Sequence, residues 1–392
     1  MEKSLRRLRK PQSMCFSEYE DESMKILAVT NMYPTPERPG TGVFIEQQVN
    51  SLVSRGIDVR VMFVDRRKNG PSVYYRIGSM LERELAEFAP DLVHVMYGGV
   101  MAEQVTKQRG LPPTLVTFHG SDLLGENLSG LFRKLISHYG VYCSRRAARR
   151  ADGIIVVARH LLRALGKGFN SGKVQVIPCG IDLERFKPLD QSRCRERLGW
   201  QVDDFHILFA TSAGDPVKRP ELARAATDLL NRKCGEAKFH VLSGTPNNEV
   251  PNWLNAADVL LLTSKHEGSP TIVKEALACG LPVVSVPVGD VPERITGISG
   301  CYLAEPGPED LARKLELVYN GRQRVNCGEK LQELSCETIA GKLEQFYREI
   351  LRNCGKQETH FSNGAIENLD YVPNYGITSR MRDGVANEGQ RA

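Results

Sequence analysis

The sequence pairs none of its ten cysteines in a C-x-x-C spacing, which removes the ligand pattern of a structural zinc site and the framework of a disulfide scaffold. A reducing, cytoplasmic setting is the simplest expectation. No apolar run is long enough to cross a bilayer: stretches such as "GIIVVA" are strand-sized, against the roughly 20 residues a spanning helix needs. The opening "MEKSLRRLRKPQSMCFSEYEDES" is basic like a signal peptide but has no apolar segment behind the charges. Nor is the charge one-sided, since 52 basic and 47 acidic side chains leave a formal +5, so no nucleic-acid partner is expected. These absences leave a soluble protein, or one resting on a membrane surface.

What is present is length and alternation. At 41% hydrophobic, 392 residues supply core for two domains of ordinary size. Strand-like runs ("KILAVTN", "DVRVMFV", "DLVHVM", "PTLVTFH", "GIIVVA", "KVQVIP") are separated by amphipathic or loop segments, which argues for a parallel sheet with crossover helices. The first helix, "VFIEQQVNSLVSRG", puts Ile45, Val49, Leu52 and Val53 on one face and stops at Gly56. A polar stretch with Pro and Gly, 185–204, reads as the interdomain linker, and "HILFA", "FHVLSG", "DVLLLTS" and "LPVVSV" then repeat the alternation. The expected layout is an extension over 1–23, one α/β domain over 24–190, a second over 191–336, a closing helix over 337–353, and a polar, mostly disordered tail over 354–392.

Residues 267–284, "EGSPTIVKEALACGLPVV", carry the chemistry. Ser269 is a favoured N-cap and Pro270 suits the first helical position, so the sequence predicts a helix from Pro270 to about Cys279 stopped by Gly280. The buried strand "DVLLLTS" before it puts that helix N-terminus at the carboxyl edge of a parallel sheet, where open α/β sheets bind ligands. Free amides at Thr271 and Ile272 suit a phosphate. Carboxylates accept from hydroxyl pairs, so Glu267 in the loop and Glu275 on the helix suit sugar and ribose hydroxyls on either side of a diphosphate.

In this context "EGSPTIVKEALACGLPVV" resembles the E-x7-E signature of the family 4 retaining glycosyltransferases of GT-B fold. Other segments from about 24 to 350 fall in that family's order: "NMYPTPERPGTGVFIEQQ" is similar to its glycine loop, "FHGSD" to its active-site histidine segment, "VIPCGID" to its interdomain element and "GDPVKRPELA" to its phosphate-binding lysine loop. The versions "GVFIEQQ", "HGSD" and "EGSP" look like those of bacterial cell-surface polysaccharide transferases of the teichuronic-acid type. The resemblance implies two Rossmann-like, doubly wound domains facing across a cleft, the first for the acceptor and the second for the donor. The implied reaction moves a sugar from a nucleotide-sugar, a UDP-sugar favoured over a GDP-sugar, to a hydroxyl of a glycan or lipid-linked acceptor, with retention. His119, Lys218 and Glu267 are the implied catalytic residues, and Gly42, Arg219, Ser269, Thr271, Ile272 and Glu275 the implied donor contacts. With no D-x-D triplet anywhere, no metal is expected at the diphosphate.

The sequence departs from the family pattern where Ser212 and Ala213 replace an arginine, where Cys179 replaces an asparagine, and in a short connection after "FHVLSG" that leaves Ser243, Gly244 and Thr245 for the nucleobase. Plainer readings stand beside the functional ones. His119 is either a cleft residue at a strand end or a satisfied core histidine; Asp122 either orients it or caps a turn; Gly40 and Gly42 either admit a ligand or form a tight turn; Asp182 either marks the interdomain element or caps "LERF". The basic, amphipathic 131–150 is either a solvated helix or a peripheral membrane contact. The functional alternatives are a nucleotide-sugar epimerase or hydrolase on the same fold, and a non-catalytic sugar-nucleotide-binding protein.

Overall fold

The computed structural model describes residues 23–125, 130–169, 171–211 and 215–355. Buried aliphatic runs form two parallel sheets. The first contains β1 (Lys25–Thr30), β2 (Asp58–Phe63), β3 (Leu92–Val95), β4 (Thr114–Phe118), β5 (Gly153–Val156) and β6 (Val174–Val176), in the spatial order β2-β1-β3-β4-β5-β6. The second contains β7 (Phe205–Ala210), β8 (Ala237–Leu242), β9 (Val259–Leu262), β10 (Val283–Ser285) and β11 (Tyr302–Leu303), in the order β11-β10-β9-β7-β8. Strands β3, β5 and β9 are buried along their whole length, as a parallel sheet covered on both faces requires. Both sheets wind outward in two directions from their first strand, so the order reverses between β1 and β3 and between β7 and β9. A ligand crevice belongs at the carboxyl ends of those strand pairs.

The chain crosses between the domains twice, and the crossings are joined. After β6 it passes through Cys179 to Ile181, whose amide donates to the Leu334 carbonyl at 2.9 Å while its own carbonyl accepts from the Cys336 amide at 2.9 Å. From there the helix Cys336–Gly355 returns to the first domain. Its residues Ile339, Leu343, Phe346, Tyr347 and Ile350 share one buried cluster with Ile26, Leu92, Leu115 and Ile155 of the first sheet.

Three local expectations need correction. The stretch expected as a linker, 185–204, holds the helix Gln191–Leu198, capped by Asp190 and fixed to the second domain by buried Arg195, which pairs with Asp258 at 2.7 Å. Its polar composition serves that docking, and the crossing lies earlier, at Cys179. The short connection between β8 and β9 contains the helix Val250–Ala256. The helix of the 267–284 stretch runs Thr271–Ala278 with Pro270 at its N-cap, so Ser269 does not cap it. The extension over 1–22, Ser212 and Ala213, and the tail from 356 lie outside the described residues.

Buried histidines add a constraint on pH. His94 sits between β4 and the C-terminal helix, with Nδ1 2.7 Å from the Tyr347 hydroxyl and Nε2 2.7 Å from the Thr117 hydroxyl. Burial, reinforced by nearby His119, pushes its pKa down to about 3. In the second domain, burial and then His206 push His240 down to about 4; the two rings meet at 2.9 Å and Trp200 stacks on His240 at 3.6 Å. An unfolded histidine titrates near 6.5, so between that value and the native one the unfolded chain binds more protons. Stability is therefore full above about pH 6.5 and is lost as pH falls toward 4. Urea midpoints measured from pH 8 to pH 4.5 should decline below that point, and His94→Gln should flatten the decline.

Candidate active site

On the side of the second domain, the loops after β7 and β9 meet at the point where strand order reverses. Asp215 accepts from the Val217 amide at 2.9 Å and starts the turn Pro216–Lys218. The Lys265 amide donates to the Val217 carbonyl at 2.8 Å, and the Thr263 hydroxyl to the Lys218 carbonyl at 2.7 Å, so the two loops are stitched together. This aims the Lys218 ammonium at Glu267, Nζ to Oε1 2.5 Å, with both side chains largely buried. Arg219, expected beside a diphosphate, has a left-handed backbone (φ 53°) and turns its guanidinium onto the Thr263 and Ser264 carbonyls. It buttresses the turn that presents Lys218.

The helix Thr271–Ala278 follows. Thr271, Ile272 and Glu275 face the space between the domains, and the Thr271 side chain hydrogen-bonds the Glu275 carboxyl. Burial raises the Glu275 pKa to about 7, with Lys274, Thr271 and Arg185 opposing the rise. Ser269 donates instead to Asp290 Oδ2 at 2.7 Å and accepts from the Lys274 ammonium at 3.1 Å, so its hydroxyl is held in a buried network.

From the first domain, Gly42 ends the loop after β1 with φ 74°, where a Cβ would lie 2.5 Å from the Met32 carbonyl carbon. Only glycine starts the helix Val43–Val53 there, and that helix turns Phe44 and Gln47 toward the cleft. His119 follows β4. Its Nε2 lies 3.0 Å from the Met96 carbonyl, which fixes the proton on that nitrogen, and Nδ1 faces Cys179 Sγ at 3.7 Å. The ring packs between Phe44 and Tyr97 with centroids at 4.9 and 5.8 Å, and burial lowers its pKa to about 4. The imidazole is thus neutral and engaged on both nitrogens. Asp122 holds backbone and not the ring: its carboxylate accepts from the amides of Gly98 (3.0 Å), His119 (3.0 Å) and Gly120 (2.8 Å).

The domains touch through backbone. A Cβ on Gly268 would lie 1.8 Å from the His119 carbonyl oxygen, and one on Gly120 would lie 3.0 Å from the Gly268 Cα. Beside this contact opens a cleft of about 280 Å³, lined by Gly40, Gly42, Phe44 and Gln47 on one side and by Thr245, Asn247, Thr271 and Glu275 among the residues on the other. Of the expected site residues, Gly42, Thr271, Ile272 and Glu275 line it; His119 stands behind Phe44, and Lys218 with Glu267 caps the adjoining strand ends. Gln47, Asn247 and Val250 were not anticipated, although Gln47 lies in the "GVFIEQQ" run and Thr245 in the triplet expected near a nucleobase. A cation and a carboxylate beside free helix amides, with a second carboxylate one helical turn further on, can hold a polyhydroxyl ligand that carries an anion.

The chain matches the family model Glycosyltransferase Family 4 over residues 39–185 and the model Glycosyl transferases group 1 over residues 196–320. It is similar to the putative teichuronic acid biosynthesis glycosyltransferase TuaC of Bacillus subtilis (strain 168), 28% identical over 337 residues, 68% of this chain and 82% of that protein. It is also similar to the D-inositol 3-phosphate glycosyltransferase of Paenarthrobacter aurescens (strain TC1), 23% identical over 345 residues, 74% of this chain and 78% of that one. Among solved structures, sucrose-phosphate synthase from Thermosynechococcus elongatus superposes with a TM-score of 0.68 at 17% identity, covering 84% of this chain and 100% of that chain. Anabaena Alr3699/HepE, solved in complex with UDP-glucose, gives 0.54 at 18% identity, covering 85% and 99%.

The Asp122 carboxylate offers a direct check of the site's scaffold. Asp122→Ala strands three buried amides, each costing about 1–3 kcal/mol when unpaired, so chemical denaturation should show a loss of about 3 kcal/mol or more. Asp122→Asn, which keeps one acceptor oxygen, should lose less.

Proposed function

Because the chain belongs to the GT-B glycosyltransferases, with a Glycosyltransferase Family 4 domain followed by a Glycosyl transferases group 1 domain, we propose that it moves a sugar from a nucleotide-sugar to a hydroxyl of a glycan or lipid-linked acceptor in cell-surface polysaccharide synthesis, with retention. The observation that carries this reading is the Lys218–Glu267 pair at the strand-order reversal of the second domain, beside the Thr271 helix start and Glu275 and opposite Gly42. Glu275 holds the ribose diol, the Thr271 and Ile272 amides take the diphosphate with Lys218, and Glu267 positions the donor sugar. A UDP-sugar is the favoured donor, a reading supported by the HepE complexes with UDP and UDP-glucose. The acceptor oxygen bonds to the anomeric carbon as the bond from that carbon to the phosphate oxygen breaks. The proton passes to the departing phosphate, whose growing charge Lys218 meets. With its Nε2 proton held on the Met96 carbonyl and Nδ1 facing Cys179, the His119 ring transfers no proton in this scheme. It positions Phe44 and the face opposite Glu267. The diphosphate is met by helix amides and Lys218 without a metal ion.

Nucleotide release from UDP-, GDP- and ADP-sugars, with and without lipid-linked and soluble acceptors, tests the reading. Release should follow one donor, rise with acceptor and persist in EDTA. Glu267→Gln should lower kcat by about 10²–10³, and Glu275→Ala should mainly raise the donor KM. Since an ionised Glu275 accepts from both ribose hydroxyls, donor affinity should improve as pH rises through about 7, and Glu275→Gln should remove that dependence. Consumption of donor without acceptor would favour a hydrolase or epimerase, and binding without turnover a non-catalytic protein.

The helix Leu131–Arg150 supports a peripheral membrane contact. Leu131, Phe132, Leu135, Ile136, Tyr139 and Tyr142 are all at least half exposed, and Tyr75 is 89% exposed. Arg133, Lys134, Arg145 and Arg146 accompany them on the same helix. Apolar side chains with flanking cations fit an anionic lipid surface, and among the described residues no helix is long and apolar enough to cross a membrane. The protein should sediment with phosphatidylglycerol vesicles more than with neutral ones, and Phe132→Glu with Leu135→Glu should abolish the difference.

A further inference from the structure

Lys274 is the residue of the 267–284 stretch that the reading above leaves without a role. It has 0% exposure, enclosed with Val273, Ala276 and Leu277 on the same helix. Its ammonium donates to the Cys179 carbonyl at 2.7 Å and to the Ser269 hydroxyl at 3.1 Å. Ser269 in turn donates to Asp290 Oδ2, which also accepts from Arg294 Nε at 2.8 Å, while the buried Asp290 Oδ1 has no partner among the described residues. An ammonium without a carboxylate in direct contact is a costly thing to bury, and an aliphatic side chain of the same volume would fill the space at lower cost. Core packing therefore gives no reason for a lysine here.

The partners of the ammonium give one. Cys179 lies on the first crossing between the domains, and its thiol faces the His119 ring. Ser269 directly follows the Glu267–Gly268 backbone that meets His119 and Gly120. The same charged group thus bonds both sides of the cleft at its closed end, and one residue further along the helix Glu275 lines the cleft itself. Burial lowers the Lys274 pKa and Arg294 adds to the fall, while the carboxyl groups of Asp290 and Glu275 oppose it.

Resting on the transferase reading above, we propose that Lys274 is a positioning residue: it ties the domain crossing at Cys179 to the donor loop at Ser269 and so sets the separation of His119 and Glu267 across the cleft. Nucleotide binding, which uses Thr271, Ile272 and Glu275, does not need this tie. Transfer, which needs both domains in register, does.

The test uses the full chain with Lys274→Met, which keeps the length of the side chain and removes the charge, and with Ser269→Ala, which removes one acceptor and the relay to Asp290. UDP affinity by calorimetry, kcat by nucleotide release and amide exchange over 177–182 are measured well below each variant's melting temperature. Measured at pH 8, above the Glu275 titration, Lys274→Met should keep the UDP Kd within about threefold, lower kcat by about thirtyfold or more, and speed exchange over 177–182 while 205–210 is unchanged. Ser269→Ala should shift kcat in the same direction by about five- to tenfold, and it decides the matter if Lys274→Met does not fold. A kcat within about threefold of wild type, or a uniform loss of affinity, activity and protection across the second domain, overturns the proposal. If the wild-type chain transfers nothing, the transferase reading fails on its own. Unchanged exchange over 177–182 in Lys274→Met would then still refute the tie.

Discussion

The site depends on a contact in which there is no side chain. His119–Gly120 at the end of β4 and Glu267–Gly268 after β9 approach until the His119 carbonyl occupies the space a Gly268 Cβ would need. Neither domain alone makes a cleft; each contributes an edge, and the edges meet at this contact. Around it the sequence has assembled groups that hold backbone in place. Asp122 accepts from the His119 and Gly120 amides, the Asp290 amide donates to the Gly268 carbonyl at 3.2 Å, and Lys274 bonds the crossing behind them. Much of the local polar chemistry therefore fixes main chain, leaving a small set of groups to face a ligand.

Charge in this region is arranged on the same logic. Burial keeps His94, His119 and His240 neutral at physiological pH, so each serves as an uncharged hydrogen-bonding block, and the Met96 carbonyl fixes the tautomer of His119. Lys218 and Glu267 neutralise each other at the strand ends. The pairing keeps either charge from standing alone.

The alternation of short apolar runs with amphipathic segments made both sheets legible in the sequence, and the order of the motifs located the cleft. What escaped it were partnerships made over long sequence distances. Ser269 carries an N-cap propensity that is local, but its hydroxyl is claimed by Asp290, 21 residues on. Arg219 reads as a phosphate ligand until its left-handed backbone and its bonds to Thr263 and Ser264 are seen. The 185–204 stretch looks like a linker because its polarity is visible and its partner Asp258 is not. Lys274 lies among buried apolar residues of its helix, and only the fold shows what lies at the end of it.

The returning helix Cys336–Gly355 has a consequence for biosynthesis. Because Phe346, Tyr347 and Ile350 cover Ile26, Leu92, Leu115 and Ile155, the first domain is not complete when its own last strand leaves the ribosome. Its sheet has to wait, with an apolar face open, while the whole second domain is synthesised at about 5–20 residues per second. The N-terminal domain is thus the last to close although it is the first to be made. Chains interrupted before residue 336 would expose a sticky surface that a holdase chaperone can recognise, which makes the returning helix a checkpoint for the sheet it covers.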